Sequence, residues 1–210
     1  MTSLRARWLL PAAALCAGLA GFWLARQLDS RAPQLASGTW LPQSKAVIDF
    51  QLIDTSGRAF TRRDLAGVPT LVFFGFTHCP DVCPTTLLKL AQARRRTGAA
   101  GPRVLLISVD PQRDTPVVLG PYVHAFDPQF QGLTGDAQTI ARLAANFGVA
   151  VNRVELPGGD YTMDHSAVVF LLDDAARIVA IFTPPFDAAA LGADLARAAP
   201  YLGVRARRAT

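Results

Sequence analysis

The chain has 210 residues, half of them apolar, and a formal net charge of +5. That length holds one domain of ordinary size plus a terminal extension and leaves little room for a second full domain. Arginine carries the positive charge, with Lys45 and Lys89 the only lysines, and its scatter along the whole chain argues against a nucleic-acid-binding stripe.

The first predicted element is a membrane address. Arg5 and Arg7 precede an apolar run from Trp8 to Ala25, closed by Arg26. About 18 apolar residues just reach the length at which a helix spans the hydrocarbon core, and Trp8 and Trp23 sit where aromatic rings favour the interface. The reading is an N-terminal transmembrane anchor over residues 1–27, with the N-terminal arginines cytoplasmic. It places a single-pass protein in the inner membrane with its domain facing the periplasm. A signal peptide cleaved after the small-x-small stretch Gly18, Leu19 and Ala20 is the rival, and it exports the domain equally. Cys16 reads as a small apolar residue of the membrane helix, because Leu15 precedes it where a lipoprotein signal wants a small side chain.

Residues 28–45 mix Pro, Ser, Gly and Gln without periodicity and read as a linker. The folded domain is expected over residues 46–203, with a basic tail of Arg205, Arg207 and Arg208 over 204–210. Within the domain, Val47 to Ile53 reads as a strand, Asp54 to Gly57 as a turn and Arg58 to Thr61 as a hairpin partner. TLVFFGF after Pro69 has the β-branched and aromatic content of a strand buried on both faces, and a helix follows from about Pro84 to Arg96. RVLLISV from Arg103 is another buried strand. Thr115 to Phe126 and Asp136 to Phe147 read as helices separated by an apolar turn at Gly132 to Thr134. VAVNRVEL, a turn at Pro157 to Asp160, the strands SAVVFLL and RIVAIF, and a helix from Asp187 to Ala199 complete the chain. Alternating strands and helices closed by a hairpin and a helix predict an α/β fold, a mixed central sheet flanked by helices on both faces.

The chemistry concentrates in FTHCPDVCP, where the first long buried strand turns into a helix. Ligands bind commonly in the crevice at the carboxyl ends of sheet strands. Pro84 suits the first turn of a helix, so Cys83 falls near the positive end of the helix dipole, which favours its thiolate and that of any neighbour the turn folds back towards it. Two neighbouring thiolates suit Cu(I), and an imidazole as third ligand also tolerates Cu(II). Three histidines could supply it. His124 reads as solvated on a helix, and His78 abuts Cys79 and points either way. His165, after the loop of Gly158 and Gly159, is either a ligand or a structural histidine. Met163 is a further soft ligand or a packing residue.

FGFTHCPDVCP, SVDPQRDTP, GLTG and DHSAVVFLLD, in this order and spacing, resemble the Sco/SenC family of copper chaperones, from about Ala46 to Tyr201. The resemblance implies a thioredoxin-like fold on a single membrane anchor. It also implies one copper ion held by Cys79, Cys83 and His165 and delivered to the dinuclear copper centre of cytochrome c oxidase. It makes Cys79 and Cys83 a redox-active pair, and it suggests that Asp81 and Asp164 contribute to the site or to docking. Asp110, Pro111, Arg113 and Asp114 receive only a loop-shaping role. The implied partners are the copper-bearing oxidase subunit, a thioredoxin-like reductant and the membrane. Metal delivery needs no covalent turnover, so the expected protein is not an enzyme, although an accessory thiol-disulfide reductase activity is compatible with it. The competing reading is a periplasmic thiol-disulfide oxidoreductase, in which Cys79 forms a mixed disulfide and Cys83 resolves it. Three residues separate the cysteines instead of the two usual in thioredoxin-type enzymes, which favours the chaperone. A peroxidase is disfavoured because Phe76 stands where peroxiredoxins place a threonine, and structural zinc because a fourth ligand is missing.

Overall fold

The computed structural model describes residues 14, 16–23, 32–98 and 101–203. The chain divides into two compact units, Met1–Pro33 and Gln34–Thr210. In the first, residues 14 and 16–23 are helical and exposed, Cys16 among them. Among the described residues no helix is long and apolar enough to cross a membrane. The ends of the expected anchor, with Arg5, Arg7, Trp8 and Arg26, and the whole basic tail lie outside the described residues.

The second unit is built on an eight-stranded mixed sheet. Its strands are β1 (Thr39–Ala46), β2 (Gln51–Asp54), β3 (Ala59–Thr61), β4 (Thr70–Gly75), β5 (Arg103–Ser108), β6 (Gln131–Thr134), β9 (Val169–Leu172) and β10 (Arg177–Phe182). They lie in the order β1-β10-β9-β4-β5-β6-β2-β3. β7 (Val151–Glu155) and β8 (Tyr161–His165) form a separate two-stranded ribbon. The helices are α1 (Arg62–Leu65), α2 (Val82–Thr97), α3 (Pro116–His124), α4 (Ala137–Phe147) and α5 (Ala188–Ala198), followed by a 3₁₀ turn at Ala199–Tyr201.

All six residues of β4 and all four of β9 are buried, so the centre of the sheet is covered on both faces. This is why those strands read as continuous apolar runs rather than as alternations. β5 lies parallel to β4 from Thr70 opposite Arg103 to Gly75 opposite Ser108, while β9 runs antiparallel with Val169 opposite Phe73. The chain therefore leaves β4 and β5 and enters β9 at one end of the sheet.

The short helix α1 has no counterpart in the sequence reading, and three strands differ from it. Residues 39–46, all but the last of them in the expected linker, form edge strand β1, paired antiparallel with β10 across a register shift between Trp40 and Lys45. The folded unit is fastened further upstream, where the amides of Ala36 and Ser37 donate to the buried Asp194 carboxylate at 2.8 and 2.7 Å. Gly132 to Thr134, expected as a turn, belongs to β6, which pairs with β5 and β2. Residues 161–165, expected as loop, are β8, the partner of β7.

Candidate functional site

At the end of β4 the chain passes through Phe76, Thr77, His78 and Cys79 into α2, with Cys83 the second residue of that helix. Gly75 makes the approach possible. A Cβ there would lie 3.1 Å from Cys83 Sγ and 3.0 Å from the Phe73 ring, tighter than most Cβ contacts, so these neighbours would have to give way. Cys83 has no exposed surface, Cys79 is half-buried, and both are free thiols. The Cys83 amide donates to Cys79 Sγ at 3.3 Å, so the first turn of α2 draws the two cysteines together.

His165, the last residue of β8, reaches the same place from the other side. Its Nε2 lies 3.4 Å from Cys83 Sγ and its Nδ1 lies 3.2 Å from the Ser166 carbonyl. A carbonyl only accepts, so Nδ1 carries the proton and Nε2 presents its lone pair to the sulfur. Phe73 and Phe76 stand edge-on to the imidazole, with ring centres 6.0 and 5.9 Å away. Burial lowers the imidazole pKa against the pull of the Ser166 carbonyl and of Asp164, which keeps the ring neutral and able to donate its lone pair.

One electrostatic expectation is reversed. Burial pushes the Cys83 thiol up, outweighing the Phe76 backbone hydrogen bond that lowers it, and the neighbouring Cys79 and Asp114 push it further. The helix terminus offers its Cys83 amide to Cys79, the neighbour that the turn folds back towards it, so the part of the expectation that concerns a neighbouring sulfur is met while the part that concerns Cys83 is not. Desolvation of a fully buried sulfur exceeds what a partial helix charge returns.

The two carboxylates singled out beside these residues are not part of the contact group. Asp81 is the N-cap of α2, exposed, and accepts from Thr85 Oγ1 at 3.2 Å. Asp164 is exposed on β8 and, by strand alternation, faces away from the side that carries His165. His78 Nδ1 lies 3.0 Å from Thr77 Oγ1, and His124 ends α3 on the exposed surface. Met163 packs against the core. Among the described residues no group of three or more His, Cys, Asp or Glu side chains stands as a preformed metal cluster. The direct contact is the Cys83–His165 pair, with Cys79 joined through the Cys83 amide.

The neighbouring loop after β5 contributes residues whose role was not legible in the sequence. Asp114, fully buried, accepts from the Thr77 amide at 3.1 Å, Thr77 Oγ1 at 2.5 Å and Ser108 Oγ at 2.6 Å. It ties the cysteine loop to β5. Tyr122 was also missed: burial raises its phenol pKa, and Cys83, Cys79 and Asp114 add to the shift. Only knowledge of the parallel β4–β5 register brings these residues to the cysteines.

Residues 40–200 match the SCO1/SenC family. The chain belongs to that family. As a SCO1/SenC protein it is 39% identical over 176 residues to the mitochondrial SCO2 homolog of Bos taurus, covering 78% of this chain and 64% of the bovine protein. It thus spans a little under two thirds of that relative's length. The copper-bound ScoI of Bradyrhizobium japonicum is 43% identical with a TM-score of 0.67, over 72% of this chain and 98% of that one. Copper-bound yeast Sco1 is 30% identical with a TM-score of 0.66, over 72% and 87%. The mixed α/β fold of this SCO1/SenC chain is the thioredoxin-like one that its sequence implied.

Proposed function

We propose that this protein is a copper metallochaperone that binds one copper ion through Cys79, Cys83 and His165 and delivers it to the dinuclear copper centre of cytochrome c oxidase. The observation that carries the reading is the 3.4 Å approach of His165 Nε2 to Cys83 Sγ, with Nδ1 turned to the Ser166 carbonyl on the far side of the ring. Two sulfurs and a neutral nitrogen suit copper in both oxidation states, and a low coordination number leaves room for a client's thiolates to displace them in turn. Copper-bound structures of a bacterial and a yeast Sco protein support the choice of metal. Copper is cargo in this account, so no covalent turnover is required.

The wider setting belongs to the same proposal. Residues 1–27 anchor the chain in the inner membrane, the region from Gln34 to 203 carries the site on the periplasmic side, 204–210 form a basic tail, and a thioredoxin-like partner keeps the cysteines reduced. Asp81 and Asp164 serve client docking rather than ligation, because both are exposed. The second reading, a thiol-disulfide oxidoreductase, is favoured by the unequal exposure of the cysteines: Cys79 is open to an incoming sulfur while Cys83 is buried beneath it, an attacking and a resolving thiol.

Anaerobic copper titration of the reduced full chain, beside the Cys79→Ser/Cys83→Ser double variant, separates the two. One tightly held copper in the wild type and none in the variant is the expected result. No tight copper binding, together with reduction of a client disulfide, establishes the oxidoreductase instead.

A further inference from the structure

The β7–β8 ribbon bears His165, yet among the described residues it shares no ladder with the main sheet. A two-stranded ribbon is marginal by itself in water, so its position depends on how it docks. Alternation puts Tyr161, Met163 and His165 on one face of β8, and all three are half-buried, while Asp164 between the last two is exposed. Met163 packs on the core and His165 meets Cys83. Tyr161, at the far end, enters a set of polar contacts that the copper reading does not use.

The Tyr161 hydroxyl donates to Asp110 Oδ1 at 2.8 Å. Asp110 is almost fully buried and also pairs with the Arg113 guanidinium, which donates to the Tyr161 carbonyl at 3.0 Å and reaches Asp160 at 3.4 Å. The Arg113 and Arg153 guanidinium carbons lie 3.8 and 3.6 Å from the centre of the Tyr161 ring. Two cations that close cannot share one face, so the ring is held between them. Arg153, on the partner strand β7, is fixed by Glu155 at 2.7 Å and by Gln112 at 3.2 Å. Asp110, Gln112 and Arg113 all come from the loop after β5, whose Asp114 grips the cysteine loop through Thr77. One loop therefore holds both halves of the candidate site.

We infer that Tyr161, clasped by Asp110, Arg113 and Arg153, is a positioning residue that latches the ribbon to the β5 loop and so keeps His165 against Cys83. The inference rests on the copper reading for its purpose, although the latch exists without metal. Its consequence is selective. Cu(I) can stay on the two cysteines when the ribbon loosens, whereas Cu(II) needs the imidazole.

The test uses the full chain with Tyr161→Ala and Tyr161→Phe, the latter keeping the ring between its cations and losing only the bond to Asp110. In the metal-free proteins, long-range ¹H–¹⁵N spectra report the His165 tautomer. The wild type is expected to show one tautomer protonated at Nδ1, and Tyr161→Ala an average of the two. Cu(II) affinity should fall roughly 10- to 100-fold in Tyr161→Ala and less in Tyr161→Phe, with Cu(I) affinity nearly unchanged. A folded Tyr161→Ala with an unaltered tautomer and an unaltered ratio of Cu(II) to Cu(I) affinities overturns the latch. Where Tyr161→Ala does not fold, Tyr161→Phe decides by the same two readouts. A wild type that takes no copper defeats the chaperone reading alone, because the tautomer measurement still judges the latch.

Discussion

Gly75 shows how finely single residues set this site. It ends the central strand, and the space a Cβ would need is already held by Cys83 Sγ, the Phe73 ring and Leu106. Gly75→Ala is therefore expected to cost about 1–3 kcal/mol through overpacking in a dense core, measured by urea denaturation, and to displace Cys83 from His165. At this scale the cysteines were legible because sulfur beside proline at a strand-to-helix turn has few bland explanations. The electrostatics were not legible, because helix position suggests a thiolate at Cys83 and only the burial of that sulfur reverses the sign. Tyr161 was equally hidden: its neighbours Asp110 and Arg113 lie some fifty residues away in sequence and meet it only through the fold.

At the scale of elements, strands that bury both faces were visible and strands that depend on partners were not. TLVFFG and RVLLIS announce themselves by composition, and both lie at the centre of the sheet. TWLPQSKA contains a proline and mostly exposed residues, and it becomes β1 because β10 offers an open edge. QGLT becomes β6 between β5 and β2, and YTMDH becomes β8 against β7 across a turn where Gly158 and Gly159 have φ of +87° and +83°. The turn between β2 and β3 yields a pH test. Burial by itself would raise the Asp54 carboxyl, but hydrogen bonds from the Ser56 hydroxyl and from Ser56 and Arg58 amides, with the Arg58 side chain, outweigh it and hold the group at about 2 against an ordinary 3.8. A folded-state value below the unfolded one stabilises above pH 3.8 and loses that contribution as the pH falls towards 2. Asp54→Asn should accordingly lower Tm at neutral pH, and the gap to wild type should close across that interval in thermal melts.

For the whole molecule, topology brings together what the sequence keeps apart. The parallel β4–β5 pair sets the cysteine loop beside the Asp110–Asp114 loop, and the antiparallel β9 returns the chain to the same end of the sheet just after His165. The motifs and their order were sufficient to suggest the family, and the resemblance supplied the thioredoxin-like fold. Spacing alone could not show that His165 crosses 82 positions to meet Cys83, since that follows from strand direction. The central claim is that these residues and Cys79 close around a single copper ion. Copper K-edge absorption of the full chain carrying one equivalent of Cu(II), beside Cys79→Ser and His165→Ala variants, tests it most directly. The account predicts two sulfur scatterers and one imidazole nitrogen in the wild type, with one sulfur lost in the first variant and the imidazole signal lost in the second. A shell of oxygen and nitrogen alone, or a wild-type spectrum that neither substitution alters, would contradict it.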